Sequence, residues 1–116
     1  MKYKSITEEA IEFIISRDLD ELAGLTRYHV AATLGINKAY LSEKFKEDTH
    51  WTVLEFITFE KMKRAERLLQ TRPDLTVNEI SLKVGIVKCT QFRSKFKKVY
   101  GLKPGKYRKV TKEKKN

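Results

Sequence analysis

Cysteine and proline are scarce in this chain. The 116 residues include one cysteine, so an internal disulfide is excluded and a reducing compartment fits. Only two prolines are present, and 41% hydrophobic with 34% charged residues is the composition of a folded chain. No apolar run approaches the roughly 20 residues that a membrane-spanning helix needs, and no secretory apolar segment follows Met1. We therefore expect a soluble, cytoplasmic protein with no membrane partner.

Local sequence patterns for catalysis or metal binding are also missing. The two histidines, His29 and His50, are too far apart in the sequence to form a local metal motif. No Cys-His or Ser-His arrangement stands out. Cys89 stands alone, as either an ordinary small side chain or a redox-sensing thiol. We expect no enzymatic activity, no metal and no cofactor.

Positive charge is in excess, and it is unevenly placed. The net charge is +10. Residues 87–116 contain 12 Lys and Arg against 1 acidic residue, whereas residues 1–86 contain 13 Lys and Arg against 14 acidic residues. This asymmetry indicates a polyanionic partner at the C-terminal end, with a solvated basic tail as the alternative.

A short pattern occurs twice, about fifty residues apart. The two copies are LGINKAYLSEKFK at 34–46 and VGIVKCTQFRSKFK at 84–97. Gly35, Ile36, Lys38, Leu41 and Phe45 match Gly85, Ile86, Lys88, Phe92 and Phe96, with one extra residue in the second copy. A glycine-apolar turn before a short helix with apolar residues four apart is typical of a helix-turn-helix. Two copies in a small basic chain predict a protein that reads two neighbouring stretches of duplex DNA.

Helix-capping patterns and apolar spacing predict an all-α fold of about seven helices. The first helix is predicted from about Ile6 to Arg17, and the DLDELAGL stretch at 18–25 is predicted to be a loop. We expect two helix-turn-helix units joined by a long linker helix, with a last short helix ending near Val110. The predicted divisions are a domain over 1–110, its first unit over 5–50, the linker helix over 52–71, the second unit over 76–110 and a disordered basic tail over 111–116.

Several motifs follow one another in a specific order. They are YLSEKFK at 40–46, the spaced residues Lys61, Ala65, Leu68 and Leu69, EISLKVGI at 79–86, FRSKFKKVYG at 92–101 and KPGKYR at 103–108. Together, from about Ile6 to Arg108, they resemble the DNA-binding domain of the AraC/XylS family of bacterial transcription regulators. The opening segment is most similar to members that form the C-terminus of two-component response regulators. The chain departs from the family pattern at Ser81, where alanine is common, at Ile86, where phenylalanine is usual, and at Glu43, where a basic residue is frequent.

This resemblance implies partners that composition alone does not. It implies sequence-specific binding of double-stranded promoter DNA by two recognition helices, and contact with RNA polymerase. Family members often carry a separate sensing or receiver domain, for which this chain has no room. We therefore expect a monomer as this chain, with any dimer formed through a domain outside it.

The polar faces of the two predicted recognition helices are candidates for base reading. The predicted base-reading residues are Lys38, Ala39, Ser42, Glu43, Cys89, Thr90, Gln91, Arg93 and Ser94. All but Lys38 and Arg93 are implied by the resemblance. Glutamine can form hydrogen bonds with adenine, arginine with guanine or a phosphate, and glutamate with the N4 amino group of cytosine. Alanine can contact the methyl group of thymine. The alternatives are that the small side chains only permit a close approach, and that Glu43 pairs with Lys46 or another surface lysine.

Basic and tyrosine side chains nearby are candidates for phosphate binding. The predicted residues are Tyr40, Lys46, Lys97, Lys98, Lys106 and Arg108, with a solvated basic surface as the alternative. The segment 37–48 holds three lysines and three acidic residues, whereas the excess charge follows residue 86. We therefore predict that the second unit and the tail supply most of the salt-dependent affinity.

The length of the linker helix sets the expected geometry of binding. About 20 residues rise about 30 Å, close to the roughly 34 Å between successive major grooves on one face of DNA. One monomer is then expected to span about 20 base pairs of an asymmetric site without dimer symmetry. The competing hypothesis is a helical module that binds protein or RNA, with a basic tail that only keeps the chain in solution.

Overall fold

The computed structural model describes residues 4–114, which form eight α-helices and no strand. The helices are α1 (Ile6–Ser16), α2 (Leu19–Ala23), α3 (Arg27–Leu34), α4 (Lys38–Thr49), α5 (Val53–Thr71), α6 (Val77–Lys83), α7 (Cys89–Tyr100) and α8 (Pro104–Lys114). The predicted all-α fold is confirmed, with one helix more than expected. None of the helices in this range is long and apolar enough to cross a membrane.

Side chains that accept from first-turn amides start most of these helices. The N-cap residues Ser5, Thr26, Asn37 and Thr76 accept from backbone N–H groups of α1, α3, α4 and α6. Thr52 does the same before α5, because its Oγ1 accepts from the Glu55 amide at 3.0 Å while the Glu55 carboxylate accepts from the Thr52 amide at 2.8 Å. These caps use residues two or three positions apart, and therefore local sequence suffices to predict them.

The prediction of a loop at 18–25 is wrong, because this stretch contains α2. Asp18 Oδ1 accepts from the Glu21 amide at 2.8 Å, and Glu21 Oε1 accepts from the Asp18 amide at 3.2 Å. Leu22, one residue later, is fully buried. The reciprocal cap is the same device that starts α5 and α6, with aspartate in place of threonine.

The prediction of a disordered tail over 111–116 is also wrong for its first four residues. α8 runs to Lys114 rather than ending near Val110. The Thr111 hydroxyl donates to the Tyr107 carbonyl at 2.9 Å, one turn earlier, so that it does not interrupt the helix. The last two residues of the predicted tail, 115 and 116, lie outside the described residues.

The chain divides into two compact units inside α5. The first unit ends at Glu60 and the second unit begins at Lys61, so that α5 contributes one half to each. The predicted linker helix over 52–71 therefore also contributes buried side chains to the cores of both units. Val53 and Ile57 belong to the core of the first unit, and Met62 and Leu69 are buried in the second.

In the first unit, α1, α3 and α4 pack on one another around a buried apolar core. Leu41 and Phe45 of α4 are in this core, together with Ala10 and Ile14 of α1. A polar contact joins the same two helices, because the buried Thr7 hydroxyl donates to Asp48 Oδ2 at 2.6 Å. The first recognition helix is thus held by apolar and polar contacts from α1, a helix about 30 residues upstream in sequence.

In the second unit, α6 and α8 pack on α7. Phe92 and Phe96 are fully buried, and Phe96 contacts the rings of Tyr100 and Tyr107 with centroids 4.7 and 5.4 Å apart. The Tyr107 hydroxyl donates to Glu66 Oε1 at 3.3 Å. Burial raises the pKa of Tyr107, and the neighbouring Glu66 carboxylate raises it further. α7 is therefore fixed by an aromatic core drawn from its own face and from α8.

Both helix-turn-helix turns use a left-handed glycine, as the repeat predicted. Gly35 has φ 69° and Gly85 has φ 85°. The departures from the family pattern at Ser81 and Ile86 meet at the second turn, where the Ser81 hydroxyl donates to the Ile86 carbonyl at 2.5 Å. The hydroxyl therefore gives the buried position 81 a hydrogen bond that alanine would lack.

We expect Gly35→Ala to lower the free energy of unfolding by about 1–2 kcal/mol, since a side chain disfavours the left-handed region. A Cβ at Gly35 meets no atom within 4 Å, so the cost is conformational rather than steric. Urea unfolding measures it as a lower midpoint with an unchanged slope. His50, which ends α4 at φ 65°, provides the opposite control, because His50→Gly removes the same strain and is expected to stabilise. If Gly35→Ala leaves the free energy of unfolding unchanged, the turn does not need glycine.

Candidate nucleic-acid interface

The first candidate surface is the face of α4 that points away from the core. Asn37 starts the helix, with its Oδ1 accepting from the Ala39 and Tyr40 amides at 2.8 and 3.2 Å. Leu41 and Phe45 are buried against α1 and α3. Ala39, Glu43 and Lys46, spaced four and three apart, are exposed on the other side, and Ser42 is half-buried beside them. This face carries four of the residues predicted from the sequence for DNA contact.

Glu43 has no lysine partner within the described residues. No ion pair there joins it to Lys46, and the lysine next to it, Lys44, pairs with Asp48 at 3.7 Å. Asp48 in turn accepts from Thr7, on the side that packs against α1. The carboxylate of Glu43 is therefore exposed and able to accept a hydrogen bond from outside the chain. Its role in base reading stays a prediction.

Lys38 is exposed at the first position of α4, and its side chain contacts α3. Its Nζ is 4.4 Å from the centroid of the Tyr28 ring, in the first turn of α3. The adjacent Arg27 also contacts that ring, with its Cζ 5.2 Å from the centroid. Sequence reasoning missed Arg27 and Tyr28 because nothing in the spacing of positions 27, 28 and 38 shows that the three side chains meet.

The second candidate surface is the outward face of α7. Phe92 and Phe96 hold the helix to its core, and the spacing of three and four residues then places Gln91, Ser94 and Lys98 along one exposed line. Thr90 and Lys97 are exposed next to this line. Arg93 is exposed at its margin, and Cys89 is half-buried at the first position of the helix. The structure thus brings the second predicted base-reading set together on one helix.

The predicted phosphate contacts fall into two groups. Tyr40 is 50% exposed, and Lys46, Lys97, Lys98 and Lys106 are exposed as well. These five side chains are free to reach a phosphate, and their role stays a prediction.

Arg108 differs from these five side chains, because its guanidinium already bonds to backbone carbonyls. Its Nε donates to the Leu69 carbonyl at 3.1 Å, its Nη1 to the Leu75 carbonyl at 2.7 Å and its Nη2 to the Arg72 carbonyl at 3.1 Å. A helix C-terminus presents carbonyl groups with partial negative charge, and the guanidinium fork supplies several donors to them. Arg108 therefore holds the end of α5 and the loop that leads to α6.

The two units carry opposite net charge. Residues 1–60 contain 7 Lys and Arg against 11 Asp and Glu, whereas residues 61–116 contain 18 against 4. α7 itself has four basic residues and no acidic one. Positive charges of the second unit also act on one another. Burial lowers the pKa of Lys61, and the charge of Lys95 lowers it further. The electrostatic attraction to a polyanion is thus concentrated in the second unit.

Comparisons with known proteins identify the family of this chain. A family model described as a helix-turn-helix domain matches residues 30–110, from α3 to α8. The Xylose operon regulatory protein of Escherichia coli K12 is 32% identical over 112 residues, 96% of this chain. This chain belongs to the AraC/XylS family. As the helix-turn-helix domain of that family, it is a sequence-specific DNA-binding domain of transcription regulation.

This AraC/XylS domain is also similar to another operon regulator and to a solved response-regulator domain. The Msm operon regulatory protein of Streptococcus mutans is 35% identical over 80 residues, 69% of this chain. The solved C-terminal domain of AraT, a response regulator from Geobacillus stearothermophilus, has a TM-score of 0.79 and 27% identity, covering 95% of this chain and 88% of that domain. The chain spans 28% of the length of both operon regulators.

Proposed function

We propose that one copy of this AraC/XylS domain binds an asymmetric duplex site with both recognition helices, α4 and α7, each in a major groove. The observation that supports this most is the pair of exposed polar faces, each on a helix that follows a left-handed glycine turn. α5 has 19 residues, a rise of about 28 Å, which compares with roughly 34 Å between successive grooves.

The proposed base contacts come from the two outward faces. On α4 they are Ala39, Ser42 and Glu43. On α7 they are Cys89, Thr90, Gln91, Arg93 and Ser94. These side chains are exposed or half-buried, and they include the acceptors and donors that base edges in the major groove can distinguish.

The proposed phosphate contacts are Tyr40 and Lys46 in the first unit and Lys97, Lys98 and Lys106 in the second. All five are exposed. Contacts of this kind set the position of the protein on DNA without reading sequence, and they make affinity depend on salt.

For the whole protein we propose a bacterial, cytoplasmic transcription regulator that binds promoter DNA and contacts RNA polymerase. The support is the similarity to two operon regulators and to a response-regulator domain. We further propose that this domain binds as a monomer and that any dimer forms through another domain.

The deciding experiment is selection of bound duplexes from a random DNA pool at near-physiological salt. Two unrelated boxes about 10 base pairs apart, bound by one protein molecule, are the expected result. One box alone would show that only one helix reads bases. Equal binding of single-stranded and duplex DNA, with no enriched sequence, would instead favour the protein- or RNA-binding module.

Glu43→Ala tests base reading by α4 directly. We expect it to lower the preference for cytosine at one position of the selected site by about 1–3 kcal/mol, because the carboxylate accepts from the N4 amino group. Binding to all single-base variants of the site measures this. Glu47→Ala is the matched control, since it removes an equal charge one turn later and is expected to raise affinity for all variants alike. If Glu43→Ala also acts on all variants alike, Glu43 does not read a base.

A further inference from the structure

Two cations of the first unit meet on one aromatic ring. Arg27 Nη2 donates to the Tyr28 hydroxyl at 3.3 Å, with the guanidinium carbon 5.2 Å from the ring centroid. Lys38 Nζ is 4.4 Å from the same centroid. Arg27 and Tyr28 belong to the first turn of α3, and Lys38 is the first residue of α4. We call these three residues the Arg27–Tyr28–Lys38 cluster.

The cluster is exposed, and its positive charges have no carboxylate partner among the described residues. Tyr28 is 52% exposed, and Arg27 and Lys38 are exposed too. Two other lysines of the first unit are paired with carboxylates, Lys4 with Glu12 at 2.6 Å and Lys44 with Asp48 at 3.7 Å. α3 contains no acidic residue. The local field is positive in a unit whose net charge is negative.

The ring explains why two like charges stay close without an anion. The face of a tyrosine ring carries partial negative charge that attracts a guanidinium or ammonium group. The pKa of Tyr28 shows the resulting field, because the hydrogen bond from Arg27 lowers it, and the charges of Arg27 and Lys38 lower it further. Attraction to the ring holds the two cations together in advance of any ligand.

We propose that the Arg27–Tyr28–Lys38 cluster is a phosphate-binding site that takes a backbone phosphodiester of the duplex while α4 lies in the major groove. This inference rests on the proposed function. It gives the negatively charged first unit a local cationic contact, and it reassigns Lys38 from base reading to phosphate binding. A phosphodiester suits two donors of this type, since the guanidinium and the ammonium offer separate N–H groups to its two free oxygens.

The test is the dependence of log K on log salt for the selected duplex. We expect Arg27→Gln and Lys38→Gln each to reduce the slope by about 0.9, with base preferences unchanged. Tyr28→Leu is expected to weaken binding roughly two- to fivefold by releasing the two cations, whereas Tyr28→Phe, which retains the ring, stays near wild type. Far-UV circular dichroism checks that these exposed substitutions leave the helices intact.

Lys44→Gln is the matched control, because it removes one charge from the same helix at a position already paired with Asp48. Its slope is expected to stay at the wild-type value. If Lys44→Gln reduces the slope as much as Arg27→Gln does, only net charge matters and the site does not exist. If Lys38→Gln changes preference at one base pair and leaves the slope intact, Lys38 reads a base and the inference is wrong.

Failure of the inference is separable from failure of the proposed function. The inference alone would be overturned if the wild-type protein binds an enriched duplex and the Arg27→Gln and Lys38→Gln variants show the wild-type slope of log K against log salt. Wild-type protein that enriches no duplex would overturn both.

Discussion

Replacing Arg108 with alanine is expected to destabilise the second unit by about 3 kcal/mol or more. The substitution leaves the carbonyls of Leu69, Arg72 and Leu75 without the donor that joins them. A hydrogen bond from a charged donor contributes about 1.5–3 kcal/mol, and the substitution removes all three such bonds together. Amide hydrogen exchange resolves the effect by unit, and faster exchange is expected in α6 and α7 with little change in α3 and α4.

The neighbouring Lys106 provides the control for this prediction. It is exposed on the same helix, so Lys106→Ala is expected to change stability by no more than about 0.5 kcal/mol. In DNA binding we expect the reverse, because Lys106→Ala reduces the slope of log K against log salt and Arg108→Ala leaves that slope unchanged. An Arg108→Ala protein of wild-type stability with a reduced salt slope would show that Arg108 binds phosphate after all.

Neutralising Lys97, Lys98 and Lys106 together is expected to reduce the slope of log K against log salt by about 2.7, or about 0.9 for each DNA phosphate that a lysine no longer neutralises. The three lysines belong to the strongly basic second unit and are exposed on α7 and α8. Titrations at several salt concentrations with the selected duplex measure the change. Base preferences should stay as they are, because bonds to phosphate do not read sequence.

A second triple variant separates direct phosphate binding from net charge. Lys83, Lys109 and Lys112 are exposed lysines of the same unit outside the proposed phosphate-binding set, and their neutralisation removes the same total charge. We expect it to change the slope much less. The prediction that the second unit dominates fails if neutralising Lys38, Lys44 and Lys46 of the first unit flattens the dependence more than the Lys97, Lys98 and Lys106 triple does.

The sequence by itself determined most of the helices and which side of α4 and of α7 faces the core. The caps at Asn37, Thr52 and Thr76 bond to residues two or three positions away, and the local sequence is therefore enough to predict them. Phe45 and Phe96 are fully buried, in agreement with the apolar spacing along each helix, which shows the side that faces inward. The loop prediction at 18–25 failed although Asp18 and Glu21 have the spacing of a reciprocal cap, because the five residues of α2 are too few to show a helical repeat of apolar positions.

Only the tertiary structure decided the partners of the longer polar side chains. Arg108 bonds to carbonyls 33, 36 and 39 residues earlier, and Thr7 bonds to Asp48 across 41 residues. Lys38 meets Tyr28 because α3 packs on α4, which no local spacing expresses. A long cationic side chain in a basic segment looks the same in sequence whether it binds a phosphate, a helix end or an aromatic ring. Its role is decided by which backbone and side-chain groups the fold brings within its reach.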